Sequence, residues 1–150
     1  MAQSLAKILV HLVVSTKNRN PLLDIDIRSE LYAYLAGILK ANDSHAIKIG
    51  GTENHIHIFC TLPKGISLAE MIEEFKKSSS KWIKTKGSQY APFYWQNGYG
   101  AFSVSQSDAD RVIKYIETQE EHHRKTTFEE EFRAFLVKYQ ISYDERYVWD

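Results

Sequence analysis

The chain has one cysteine, Cys60, three prolines and seven glycines among its 150 residues, and its nineteen Lys plus Arg are cancelled by nineteen Asp plus Glu. A lone thiol closes no intrachain disulfide and falls short of a cysteine zinc cluster, so the composition favours a reducing interior, with the cytoplasm as the default. With so little Pro and Gly beside 43% hydrophobic and 25% charged residues, collagen-like, low-complexity and mainly disordered chains are excluded. A formal net charge of zero offers no overall attraction to nucleic acid or membrane, so any basic site has to be local. Nowhere do about 18 apolar residues run together, and the opening Met-Ala-Gln-Ser-Leu-Ala-Lys lacks a basic region followed by an apolar core. The expectation is a protein neither exported nor membrane-spanning. What remains is a chain sized for one domain, residues 1–150, able to bury roughly 70% of its unfolded surface.

The run from Lys7 to Thr16 is short, β-branched and almost continuously apolar, as expected for a strand covered on both faces. Ile27, Leu31, Tyr34, Leu35, Ile38 and Leu39 recur at helical spacing and predict a helix to about Ala41. Two strand-like runs follow, from His45 to Gly50 and from His55 to Leu62, joined by Gly51-Thr52-Glu53-Asn54 as a hairpin. Ser67 three before Glu70 is a capping-box signature for a second helix to about Lys84, and a last strand is expected around Tyr99 to Val104. Ser107 three before Asp110 predicts a third helix through about His123, and Thr127 with Glu130 a fourth. The order β-α-β-β-α-β with appended C-terminal helices predicts an α+β fold, a ferredoxin-like antiparallel sheet with helices on one face.

Within Asn54-His55-Ile56-His57-Ile58-Phe59, alternation along a strand puts His55 and His57 side by side, with Ile56 and Ile58 on the opposite, core-like face. Two imidazoles on one surface suit a divalent metal; two half-buried structural histidines are the bland alternative. A histidine-triad nucleotide hydrolase would want another His at the position of Phe59. On the third helix Tyr115, Gln119 and His122 fall at i, i+4 and i+7, one stripe at the margin of the apolar face formed by Ala109, Val112, Ile113 and Ile116. A phenol there can reach a ligand with its oxygen or simply flank a core. Lys76, Lys77, Lys81, Lys84 and Lys86, with Trp82 among them, crowd into eleven residues without an acid. That pattern fits either a solvated helix face or a strip that tracks phosphates and stacks a base. Residues 117 to 150 hold nine acids and five bases, so the zero net charge hides opposed regions.

Taken together these residues resemble the HUH-type single-tyrosine transposases of the insertion-sequence-two-hundred/six-hundred-five family. The motif after which that class is named, His-hydrophobic-His, is met by His55-Ile56-His57. The resemblance extends through Ser15-Thr16-Lys17, Gly50-Gly51, Lys76 to Ile83, Trp95-Gln96-Asn97-Gly98-Tyr99-Gly100-Ala101-Phe102, Tyr115-Ile116-Glu117-Thr118-Gln119 and Glu121-His122-His123. Asn54 departs from it, because members often place Asp before the first His. The resemblance implies that His55, His57 and Gln119 hold Mg2+ or Mn2+ and that Tyr115 is the nucleophile, leaving a 5'-phosphotyrosine and a free 3'-hydroxyl. It implies a transposase that cleaves and rejoins single-stranded DNA at insertion-sequence ends marked by subterminal hairpins, acting as a homodimer with joined sheets. Lys76, Lys77, Lys81, Trp82 and Lys84 are then the candidate DNA contacts, and His122 a candidate assistant at the site. The competing readings are a catalytically silent or domesticated hairpin-binding protein and a metal-binding ferredoxin-like protein unrelated to DNA.

Overall fold

A computed structural model describes residues 2–150. Four strands, β1 (Leu9–Ser15), β2 (Ala46–Gly51), β3 (His55–Thr61) and β4 (Gly100–Val104), form one antiparallel sheet in the order β2-β3-β1-β4. This is the expected β-α-β-β-α-β arrangement. The helices are α1 (Ile25–Ala41), α2 (Leu68–Lys84), α3 (Ala109–Glu117), α4 (Gln119–His122) and α5 (Phe128–Lys138). No helix among the described residues is long and apolar enough to cross a membrane.

Side-chain alternation divides the central strands between two layers. Val10, Leu12 and Val14 of β1 join Ile56, Ile58 and Cys60 of β3 on one face, packed by Ile27, Leu31, Leu35 and Leu39 of α1 and Met71, Ile72, Phe75 and Ile83 of α2. Asp24 caps α1 by accepting from the Ile27 N–H, and Ser67 caps α2 by accepting from the Glu70 N–H. The opposite face carries Val13 and Phe102, covered by Phe128, Phe132 and Leu136 of α5. Leu9 and Phe59, also on that face, meet Ala109 and Ile116 of α3. Helices therefore cover both faces, whereas the sequence pointed to one. The appended helices supply the second layer, and that is why β1 is buried on both sides.

The expected third helix also differs. It starts at Ala109, where no side chain caps it; Ser107 instead pairs its hydroxyl with Ser105, which also donates to the Asp108 carboxylate at 3.2 Å. It breaks at Thr118, whose backbone leaves helical values and whose Oγ1 donates to the Lys114 carbonyl at 3.0 Å. A hydroxyl competing for a helical carbonyl is a common source of such breaks. Thr127 with Glu130 forms the expected capping box of α5.

Gly50 sets how closely α3 approaches the sheet. A Cβ there would stand 2.8 Å from both the Cγ2 and the carbonyl oxygen of Ile116, the residue after Tyr115. Gly50→Ala is expected to lower stability by about 1–3 kcal/mol through overpacking, measured as a reduced urea midpoint at unchanged m-value.

Candidate active site

His55 and His57 lie on the interior strand β3, paired across the ladder with Ser15 and Val13 of β1. Both are fully buried beneath the second helical layer, their ring centroids 5.2 Å apart. Each ring is held from two sides. His55 Nδ1 lies 2.8 Å from Asn54 Oδ1 and 3.0 Å from Thr52 Oγ1, and its Nε2 lies 2.9 Å from Gln119 Oε1. Asn54 thus offers His55 the oxygen that an Asp would. His57 Nδ1 lies 2.7 Å from Nε2 of His11, and its Nε2 lies 2.9 Å from Oε1 of Glu131.

Glu131 is the centre of the cluster and is only 3% exposed. Its Oε1 is also 3.4 Å from His55 Nε2, and its Oε2 accepts from Gln119 Nε2 at 3.1 Å. His123 Nε2 stands 3.1 Å and His122 Nε2 3.5 Å from Oε2. Burial alone would raise the carboxyl, but the imidazoles of His123, His55 and His57 outweigh it and hold Glu131 well below the usual carboxylate range, so it is ionised. Burial is also the main cause that lowers His57 and keeps its ring neutral.

Tyr115 joins the same carboxylate. Its hydroxyl donates to Glu131 Oε2, and its ring centroid lies 5.6 Å from that of His57. Burial first, then the charge of Glu131, raises the phenol above its ordinary value, so it is protonated. One chain therefore brings Tyr115, His55, His57, Gln119 and His122 together despite the break at Thr118. A cavity of about 310 Å³ opens beside them, lined by Tyr115, His122, Thr126, Glu131, Phe135 and Lys138.

The donor set fits a divalent cation. One ligand atom from each of His55, His57, His123 and Glu131 can be chosen so that all lie within 4.8 Å of one another. His123 Nε2 is buried and has no aligned hydrogen-bond partner. Imidazole nitrogens with a carboxylate and an amide oxygen are ligands that divalent ions accept.

The basic run is elsewhere, on α2 and across the sheet from the histidines. The Lys76 ammonium is engaged, donating to the carbonyls of Gln96, Asn97 and Gly98 at 2.7, 3.2 and 2.9 Å. Lys77 and Lys81 are exposed. Trp82 stacks on Tyr34 with centroids 4.8 Å apart, Lys86 lies 5.0 Å over Trp82, and Lys84 lies 4.3 Å over the exposed ring of Tyr94.

Sequence reasoning missed Glu131 and His11. The signal for Glu131 was its register: Phe128, Phe132 and Phe135 mark the buried face of α5, and Glu131 interrupts that face with a carboxylate. His11 is the single imidazole of β1, flanked by Val10 and Leu12.

A family profile described as Transposase IS200 like matches residues 4–119. The sequence matches no curated protein. Among solved structures, the chain is similar to a presumptive transposase from Deinococcus radiodurans R1, with a TM-score of 0.62 and 19% identity over 79% of this chain and 98% of that one. It is similar to a REP-associated tyrosine transposase bound to a REP hairpin, with a TM-score of 0.62 and 17% identity over 82% of this chain and 73% of that one. At such identities the two structures speak for the fold, and the profile, spanning most of the chain, speaks for descent: this protein belongs to the IS200-like transposase family.

Proposed function

We propose that this protein cleaves and rejoins single-stranded DNA at the ends of an insertion sequence, with Tyr115 as the nucleophile, in the single functional unit formed by residues 1–150. The observation that carries this reading is the meeting of the Tyr115 hydroxyl and the His57 imidazole on one buried carboxylate. A nucleophile and two imidazole ligands in one enclosure are what metal-assisted attack on a phosphodiester requires. His55, His57 and Gln119 would hold Mg2+ or Mn2+, with Glu131 beside them. When bound, the ion supplies Lewis acidity toward a phosphate oxygen.

The rest is the work of the chain. Tyr115 is seated by α3, whose approach to β2 is fixed at Gly50, so its oxygen faces the cavity and the histidines together. Its oxygen forms a bond to phosphorus, the P–O3' bond breaks, the phenolic proton leaves, and the released 3'-oxygen is protonated. The 5'-phosphotyrosine conserves the energy of the cleaved bond, and rejoining reverses the same steps. His122, half-exposed at the cavity wall, and Lys138 are placed to meet the anionic strand. Because Tyr115 meets His57 on one carboxylate of its own chain, we assign it a role in cis; the homodimer implied by the resemblance would pair one edge strand, β2 or β4, with its own copy.

The neighbouring structure that holds a REP hairpin supports a hairpin as the recognised element. The ring and lysine strip of Tyr34, Trp82, Lys84, Lys86 and Tyr94 is the surface we assign to it. We place the protein in the cytoplasm, where such DNA is encountered.

Purified protein mixed with labelled single-stranded DNA from the gene's flanks and Mn2+ is expected to give an adduct that survives SDS. Tyr115→Phe and chelation by EDTA should each reduce it to background; retained hairpin binding with no adduct from the wild type would favour the catalytically silent reading. In a titration of the hairpin against salt, Lys84→Ala should flatten the slope of log K on log salt by about 0.9, while Trp82→Ala weakens binding by about 1–3 kcal/mol.

A further inference from the structure

His57 is held at both ring nitrogens, and one of the two holders is a side chain that the chemistry above leaves unused. His11 of β1 is 3% exposed, its ring centroid 4.9 Å from that of His57. Phe135, Tyr115 and Phe102 surround it at centroid distances of 5.2, 6.2 and 6.4 Å. The two ring nitrogens face each other at 2.7 Å, so one ring donates there and the other accepts. The ionised Glu131 only accepts, which fixes the N–H of His57 on Nε2. With one N–H on each ring, His57 Nδ1 is then the acceptor and His11 Nε2–H the donor across that contact.

That tautomer cannot ligate a metal at Nε2. A ligating imidazole needs a bare Nε2 and a proton on Nδ1, and the group facing Nδ1 must then accept. We propose that His11 is a positioning residue for His57, a reversible partner that donates to Nδ1 in the metal-free chain and accepts from it in the loaded one. This rests on the metal reading above. The exchange balances: the shared proton passes from His11 Nε2 to His57 Nδ1, the proton on His57 Nε2 leaves to water, and His11 takes one from water at its own Nδ1. Neither ring changes its charge. An apolar side chain at position 11 would leave the loaded His57 with a buried N–H and no acceptor.

Ring-nitrogen NMR of 15N-labelled wild-type protein, before and after Mg2+, reads the tautomers directly. The expected spectra show both rings protonated at Nε2 without metal and His57 protonated at Nδ1 with it. Electron paramagnetic resonance of free Mn2+ gives affinity: His11→Phe should weaken binding by about 10–100-fold, and His11→Gln, whose amide can present oxygen or NH2, should restore most of it. If the phenylalanine variant fails to fold, the wild-type spectra still decide. Measurable Mn2+ binding that a folded His11→Phe leaves within about threefold of wild type, or a His57 already protonated at Nδ1 without metal, removes the role of His11 and leaves the metal site standing. Failure of the wild type to bind Mn2+ overturns the metal site and the role of His11 together.

Discussion

A buried carboxylate has to be satisfied on every side, and the second layer of this molecule is arranged around one. An ionised group taken out of water loses several kcal/mol of solvation unless charge-assisted hydrogen bonds replace it. Glu131 receives them from His57, Gln119 and Tyr115, with His55, His122 and His123 at its edge. These groups come from β3, α3, α4 and the turn after α4, so the carboxylate ties the helical cover to the sheet. The apolar contacts of Phe128, Phe132 and Leu136 with Val13 and Phe102 supply attraction without direction. Glu131 supplies the direction.

The first layer obeys simpler rules. α1 and α2 present apolar stripes to Val10, Leu12, Val14, Ile56 and Ile58, contacts that carry attraction without direction. Lys76 is the exception at its margin, where its ammonium gathers three carbonyls of the loop before β4. The C-terminal segment meets the same loop: Gln96 Nε2 donates to the Val148 carbonyl and the Gly98 N–H to that of Asp150. A residue read as a candidate for DNA contact is thus also part of how the chain's end is secured.

Periodicity carried much of the fold into the sequence. The strand order, the caps at Ser67 and Thr127, and the pairing of His55 with His57 follow from short-range spacing, and the topology follows from short connections. The Tyr115, Gln119 and His122 stripe was legible too, although its helix is not continuous. The break at Thr118 was not, because Thr is tolerated within helices and the hydroxyl's bond to the Lys114 carbonyl shows only in the folded chain. Glu131 was hidden in Glu129-Glu130-Glu131, where three acids suit the first turn of any helix. It also lies beyond the segment matched by the family profile, which ends at Gln119. His11 stood in plain view, but its partner is 46 residues away and appears only when β1 and β3 are in register.

The interruption at Thr118 divides the site into parts with different freedom. His55 and His57 sit on a strand hydrogen-bonded on both sides, so their spacing is as fixed as the sheet. Tyr115 and Gln119, four residues apart, would on an unbroken helix turn as one body. Here they belong to two helices that meet at a residue outside helical geometry. Tyr115 is seated through the approach of Ile116 to Gly50 and Gln119 through His55 and Glu131, so the two positions answer to different contacts.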